Sequence, residues 1–180
     1  MSRVILITGD LAAGKSALAE SLSLRLNIPA FEKDLIKEHY VDEYGFKNRE
    51  ENRALSIKAV DFMIDALTRF VSNGTDIILE ANFRSNELKR IEEIVSGKDV
   101  DVTLFVLRGD IEVLYDRFMK RLPTRHKAHT SIHLDESIDK FKEYIMEQRK
   151  EDVVFIPHVI NATDNSMEEI LNIALNCLGK

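Results

Sequence analysis

The sequence predicts an α/β fold, a parallel sheet covered by helices on both faces, and three observations carry that reading. Short apolar runs such as Val4 to Ile7, Ile77 to Leu79 and Val102 to Leu107 are too brief for helices. They are apolar on both faces, as buried parallel strands are. Amphipathic stretches with apolar residues every three or four positions separate them. Six of the seven glycines stand where one element gives way to the next.

Taken in order, Val4 to Ile7 is the first strand, followed by Gly9 and Gly14. A helix starts near Lys15 and runs through Leu18, Leu22 and Leu26 until Pro29 closes it. Ile28 to Phe31 makes a short second strand, and an acidic, aromatic segment from Lys33 to Tyr44 ends at Gly45. A long helix follows, with Leu55, Ile57, Val60, Met63, Ile64, Leu67 and Val71 available for its buried face. Asn73-Gly74 stops it, and Ile77 to Leu79 is the third strand. Ser85 or Asn86 caps a helix that Gly97 ends. Val102 to Leu107 is the fourth strand, Gly109 the turn, and Asp110 the cap of a helix reaching about Leu122. After a basic loop, a helix over roughly 134–150 places Ile138, Phe141 and Ile145 on one face. Val153 to Ile160 holds the fifth strand, and Ser166 caps a final helix that turns Ile170, Ile173, Ala174 and Cys177 inward. Strands alternating with helices make a three-layer αβα sandwich with a five-stranded parallel sheet.

A chain of 180 residues suits one domain, here residues 1–180, because this length buries roughly 70% of its unfolded surface. One cysteine excludes an internal disulfide framework and a Cys-based zinc cluster. The N-terminus enters a strand directly, and no apolar run reaches membrane-spanning length, so a cytoplasmic protein with no membrane partner is expected. A net charge of −6 argues against nonspecific nucleic-acid binding.

The segment Gly9-Asp10-Leu11-Ala12-Ala13-Gly14-Lys15-Ser16 matches G-x-x-x-x-G-K-[ST] between a strand and a helix. Its glycines let the backbone wrap round a phosphate, so that successive N–H groups and the helix N-terminus point at one anion. Lys15 then reaches the β and γ phosphates and the Ser16 hydroxyl meets Mg²⁺. The nucleotide-binding set is the loop itself, Gly9 to Ser16, with Ala17 beyond it.

This loop, the length and the element order resemble the P-loop small-molecule kinases, which include nucleotide and shikimate kinases. More narrowly, the chain is similar to the branch of chloramphenicol phosphotransferases, polynucleotide 5′-kinases and zeta-toxin-like kinases. The resemblance implies a P-loop NTPase fold with sheet order 2-3-1-4-5 and ATP with Mg²⁺ as donor. A GTPase would read guanine with N-K-x-D, whereas Asn161-Ala162-Thr163-Asp164 has Ala in place of the lysine, and no D-x-x-G follows a strand.

Asp34, just past the second strand, sits at the sheet edge where ligands bind in such folds. In the resembled kinases an acid there takes the acceptor's hydroxyl proton; as a plain structural residue it would favour a helix N-terminus. Glu80, ending the third strand, is placed to hold Mg²⁺ or substrate. Asn82 and Arg84 follow in a stretch that meets substrate in the resembled branch. From Arg117 to His129 there are five Lys or Arg and no acid, so this segment carries +5 and the rest of the chain −11. In the resembled kinases it is a lid, over about 117–135, with Arg117 near adenine or the phosphates and Arg121 and Arg125 on the phosphates.

His126, His129 and His133 have helical spacing, but Pro123 and the loop composition oppose a helix, and a zinc site is not expected. The acceptor-binding helical region spans 35–72, where Arg53, with Arg49 and nearby aromatics, suits a ring-bearing or anionic small molecule. A polynucleotide would want a basic track, so nucleic acid is not expected beyond a short 5′ end. The predicted activity is transfer of the ATP γ-phosphoryl group to a small-molecule hydroxyl or phosphate. Its rivals are an NTP hydrolase and an ATP-binding interaction module with little turnover.

Overall fold

Val4, Ile5, Leu6 and Ile7 are all buried, which places their strand at the centre of the sheet. In the computed structural model, which describes residues 1–129 and 134–180, this strand is β1 (Ser2–Gly9). It pairs in parallel with β3 (Ile77–Glu80) on one side and β4 (Val100–Arg108) on the other. Outside these lie β2 (Ala30–Glu32) and β5 (Pro157–Asn161), which completes the order β2-β3-β1-β4-β5. The order implied by resemblance is therefore the one found.

Side-chain alternation along the strands feeds two cores. Ile5, Ile7, Ile78, Phe105 and Leu107 pack towards α1 (Lys15–Leu26), α5 (Ile111–Arg121), α6 (Ile138–Gln148) and α7 (Met167–Cys177). Val4, Leu6, Ile77, Leu79, Leu104 and Val106 pack towards α3 (Arg49–Ser72) and α4 (Ser85–Val95).

The helical region expected over 35–72 is two helices, α2 (Lys33–Tyr44) and α3. Only Lys37 and Val41 of α2 are buried, a narrow stripe docked on α3. Several other expectations need correction. On α3 the buried positions are Asn52, Ala59, Val60, Met63, Ile64, Leu67 and Val71, and Ile57 is exposed. Arg84 rather than Ser85 or Asn86 occupies the N-cap of α4. The helix expected from 134 begins at Ile138, where the Ser137 hydroxyl accepts from the Lys140 N–H. The fifth strand starts only at Pro157; Val154 and Phe155 pack on the core without pairing. Cys177 is exposed, because the buried stripe of α7 is Ile170, Ala174 and Leu175 and position 177 falls on its flank.

Candidate active site

The loop after β1 is shaped by close approach. Gly9 has φ of +126°, and a Cβ there would lie 2.1 Å from the Leu107 carbonyl oxygen. Gly14, with φ of +85°, turns the chain into α1. The Lys15 ammonium is buried within this loop and donates to the Asp10 carbonyl at 2.8 Å. Burial lowers its pKa, opposed by the charges of Glu80, Asp34 and Asp10.

At the C-terminal end of β3, the Glu80 carboxylate accepts from the Ser16 hydroxyl at 3.2 Å. Glu32 ends β2 in register with it, and two carboxylates thereby meet beside one hydroxyl. Glu80 is 4% exposed, and burial pushes its pKa up to about 7, with Lys15 opposing and Asp34 and Glu32 adding to the rise. Oxygen ligands of this kind suit a hard cation such as Mg²⁺. The loop, with its glycine-dependent backbone, is equally suited to a phosphate.

A cleft of about 580 Å³ opens over these groups. It is lined by Leu11, Ala12, Gly14, Lys15, Ser16 and Ala17, by Glu32, Asp34, Glu38, Glu80 and Asn82, and by Arg121, Arg125, His126 and His129. The Asp34 side chain is exposed, 63% of it open to solvent. The Asn82 Oδ1 atom is buried without a hydrogen-bond partner. Arg125 stacks over the Phe118 ring at 5.0 Å, and burial lowers its pKa.

The basic segment is divided rather than uniform. Arg121 and Arg125 face the cleft, whereas Arg117 donates to the Ala162 carbonyl at 2.9 Å and Lys127 pairs with Asp42 at 3.1 Å. Its tip is seated on α2 and α3. The Ala128 carbonyl, fully buried, accepts from Lys37 Nζ at 2.8 Å and Asn52 Nδ2 at 3.0 Å. His129 Nε2 lies 2.8 Å from Glu38 and His126 Nε2 3.2 Å from Asp42. These two histidines thus pair with carboxylates, and His133 lies outside the described residues. Among the described residues no group of three metal-ligating side chains forms.

A family model described as an AAA domain matches residues 5–155. The chain belongs to that family. No curated protein gives a significant match. This AAA domain is similar in structure to a protein from Chloroflexus aurantiacus, with a TM-score of 0.79 and 21% identity over 97% of each chain. It is also similar to a sugar kinase from Janibacter sp. HTCC2649, with a TM-score of 0.65 and 14% identity over 99% of this chain and 95% of that one. A shikimate kinase from Aquifex aeolicus gives a TM-score of 0.60 and 17% identity, covering 98% and 96%. At these identities the likeness establishes the fold.

Some expected residues lie away from the AAA domain's cleft. The Asp10 carboxylate is buried and turned from the cleft, bound by Arg149 at 2.6 and 3.1 Å and by the Gly109 N–H at 3.0 Å. Arg84 pairs with Glu151 at 2.9 Å, and Arg53 is exposed on α3 outside the lining. Asn161 to Asp164 closes on itself, the Asn161 Oδ1 accepting from the backbone of Thr163 and Asp164. Conversely, Glu32, Glu38 and Arg149 were missed. The strand-end position that marks Glu80 also marks Glu32, and Glu38 lies one helical turn after Asp34. Arg149, which also donates to the Gly109 carbonyl at 2.7 Å, carries no local signal. Among the described residues, no helix is long and apolar enough to cross a membrane.

Proposed function

We propose that the protein is an ATP- and Mg²⁺-dependent kinase that transfers the γ-phosphoryl group to a small-molecule hydroxyl or phosphate, nearest the chloramphenicol-phosphotransferase-like branch of P-loop kinases. The observation that carries this reading is the convergence of Lys15, Ser16, Glu80, Asp34, Arg121 and Arg125 on one cleft. The sugar and shikimate kinases of the same fold support it.

Gly9 to Ala17 would hold the triphosphate with backbone N–H groups and the α1 N-terminus. Ser16, Glu80 and Glu32 would hold Mg²⁺, which supplies neutralisation of developing phosphate charge. Asp34 accepts the proton of the acceptor hydroxyl as its oxygen bonds to the γ-phosphorus; the bond to the β-γ bridging oxygen breaks, and ADP leaves. Lys15 and Arg121 stabilise the charge on the transferring group, with Arg125 closing from the lid side. The Glu38–His129 pair orders the wall against which the acceptor lies.

Asp34→Asn tests the reading. Transfer of label from γ-labelled ATP should fall about 10²-fold or more, the usual scale for removing a general base, with ATP affinity within about twofold of wild type. Undiminished transfer in Asp34→Asn would remove the base from the mechanism. ATP consumption without any labelled organic product would instead point to hydrolysis.

A further inference from the structure

The acceptor end of the cleft has a charge pattern of its own. Asp34 and Glu38 stand one turn apart on α2 and both face the cavity, as does Glu32 at the end of β2. The cations of the lining, Lys15, Arg121 and Arg125, belong in the proposed reaction to the phosphates. Nearby basic side chains are engaged elsewhere: Lys37 on the Ala128 carbonyl, Lys127 on Asp42, Arg84 on Glu151. Arg53 is exposed on α3 outside the lining, and residues 130–133 contain neither Lys nor Arg. Among the described residues, no Lys or Arg of the lining is therefore left over for an anionic group on the acceptor, and the lining histidines, His126 and His129, are paired with Asp42 and Glu38.

An ionised carboxylate only accepts hydrogen bonds, so its partner must be a donor. A carboxylate or phosphate placed beside Asp34 and Glu38 would instead meet like charge in a partly desolvated cleft. His129, at 2.8 Å from Glu38, fixes that carboxylate's direction.

We infer that the acceptor is a polyhydroxylated molecule without negative charge, uncharged or amine-bearing, whose non-reacting hydroxyl or ammonium groups are bound by Glu38. This rests on the kinase reading and narrows it, excluding a phosphate or a hydroxy acid as acceptor. Glu38 acts here as a specificity residue, separate from the proton transfer at Asp34.

The test offers the full-length protein γ-labelled ATP and Mg²⁺ with two acceptor pools. The first holds glucose, myo-inositol, uridine, glucosamine and kanamycin; the second holds gluconate, glucuronate, shikimate, glucose 6-phosphate and UMP. Label should enter the first pool and not the second, and assaying its members singly separates uncharged from amine-bearing acceptors. Glu38→Gln should lower kcat/KM for the labelled acceptor by about tenfold or more, the effect of losing one charge-assisted hydrogen bond, with ATP affinity within about twofold. Glu38→Asp should recover part of the loss, which a general folding defect would not allow. Label in the second pool, label in neither pool by a protein that binds ATP, or an unchanged kcat/KM in Glu38→Gln would overturn the inference. A wild-type protein that fails to bind ATP at all would overturn the kinase reading, and the inference with it.

Discussion

The two ends of the cleft are built by different means. The phosphate loop at the donor end is one contiguous stretch, Gly9 to Ser16, whose shape comes from the backbone and from the strand and helix at either side. The acceptor wall is assembled from side chains far apart in sequence: Lys37 and Asn52 reach Ala128, Asp42 reaches His126, and Glu38 reaches His129. A site of the first kind is fixed as soon as its loop forms. A site of the second kind exists only when the segment after α5 is seated on α2 and α3, so it can vary its chemistry without disturbing the phosphate loop.

Lys15→Ala should have the largest effect, lowering phosphoryl transfer by about 10²–10³-fold. Far-UV circular dichroism should show the fold unchanged, because removing a buried, partly neutralised cation leaves the loop's backbone in place. A loss of structure instead would mean that the donor end depends on its lysine for shape as well as for charge.

Arg149→Ala comes next and tests whether the loop is as self-sufficient as its sequence suggests. It leaves the Asp10 carboxylate buried with the Gly109 N–H but without its guanidinium partner. The expected cost is about 3 kcal/mol, or a fall in melting temperature of roughly 6–12 °C. Arg149→Lys should restore part of it, since one charged donor can still reach Asp10. A melting temperature unchanged in Arg149→Ala would show that α6 does not brace the loop.

On the other wall, His129→Ala should release Glu38 and cost only about 1 kcal/mol of stability. The acceptor KM should nevertheless rise several-fold, and steady-state kinetics over an acceptor series would show whether it does.

Glu151 gives the smallest effect. Hydrogen bonds from Ser85 and then Arg84 hold its carboxyl down at about 2, below the ordinary 4.5. The folded state thus binds this proton less readily than the unfolded one. Its contribution is complete above about pH 4.5 and is lost as pH falls towards 2. Glu151→Gln should flatten that part of the acid-unfolding curve by about 1 kcal/mol, allowing for solvent around the pair.

Much of the fold was legible because it follows from local pattern. Buried strands were read from apolar runs, turns from Gly74, Gly97 and Gly109, and the phosphate loop from one contiguous motif. Helix α2 was legible only as part of a helical region over 35–72, without bounds of its own, because it buries only Lys37 and Val41, a lysine and one apolar residue. Cys177 misled because helical spacing fixes a face only approximately, and the stripe through Ile170 and Ala174 passes beside it. The charge count located the basic segment correctly but could not divide it. Whether Arg117 meets a ligand or the Ala162 carbonyl depends on where the loop after β5 passes. The roles of Glu38, His129 and Arg149 likewise arise only from tertiary proximity, Glu38 and His129 standing 91 residues apart and Arg149 and Asp10 139.

Calorimetric titration of ATP with Mg²⁺ into wild type, Lys15→Ala and His129→Ala tests the separation of the two ends most directly. Wild type and His129→Ala should bind with affinities within about threefold of each other, while Lys15→Ala should bind at least about tenfold more weakly. Equal binding by wild type and Lys15→Ala, or loss of binding in His129→Ala alone, would contradict it.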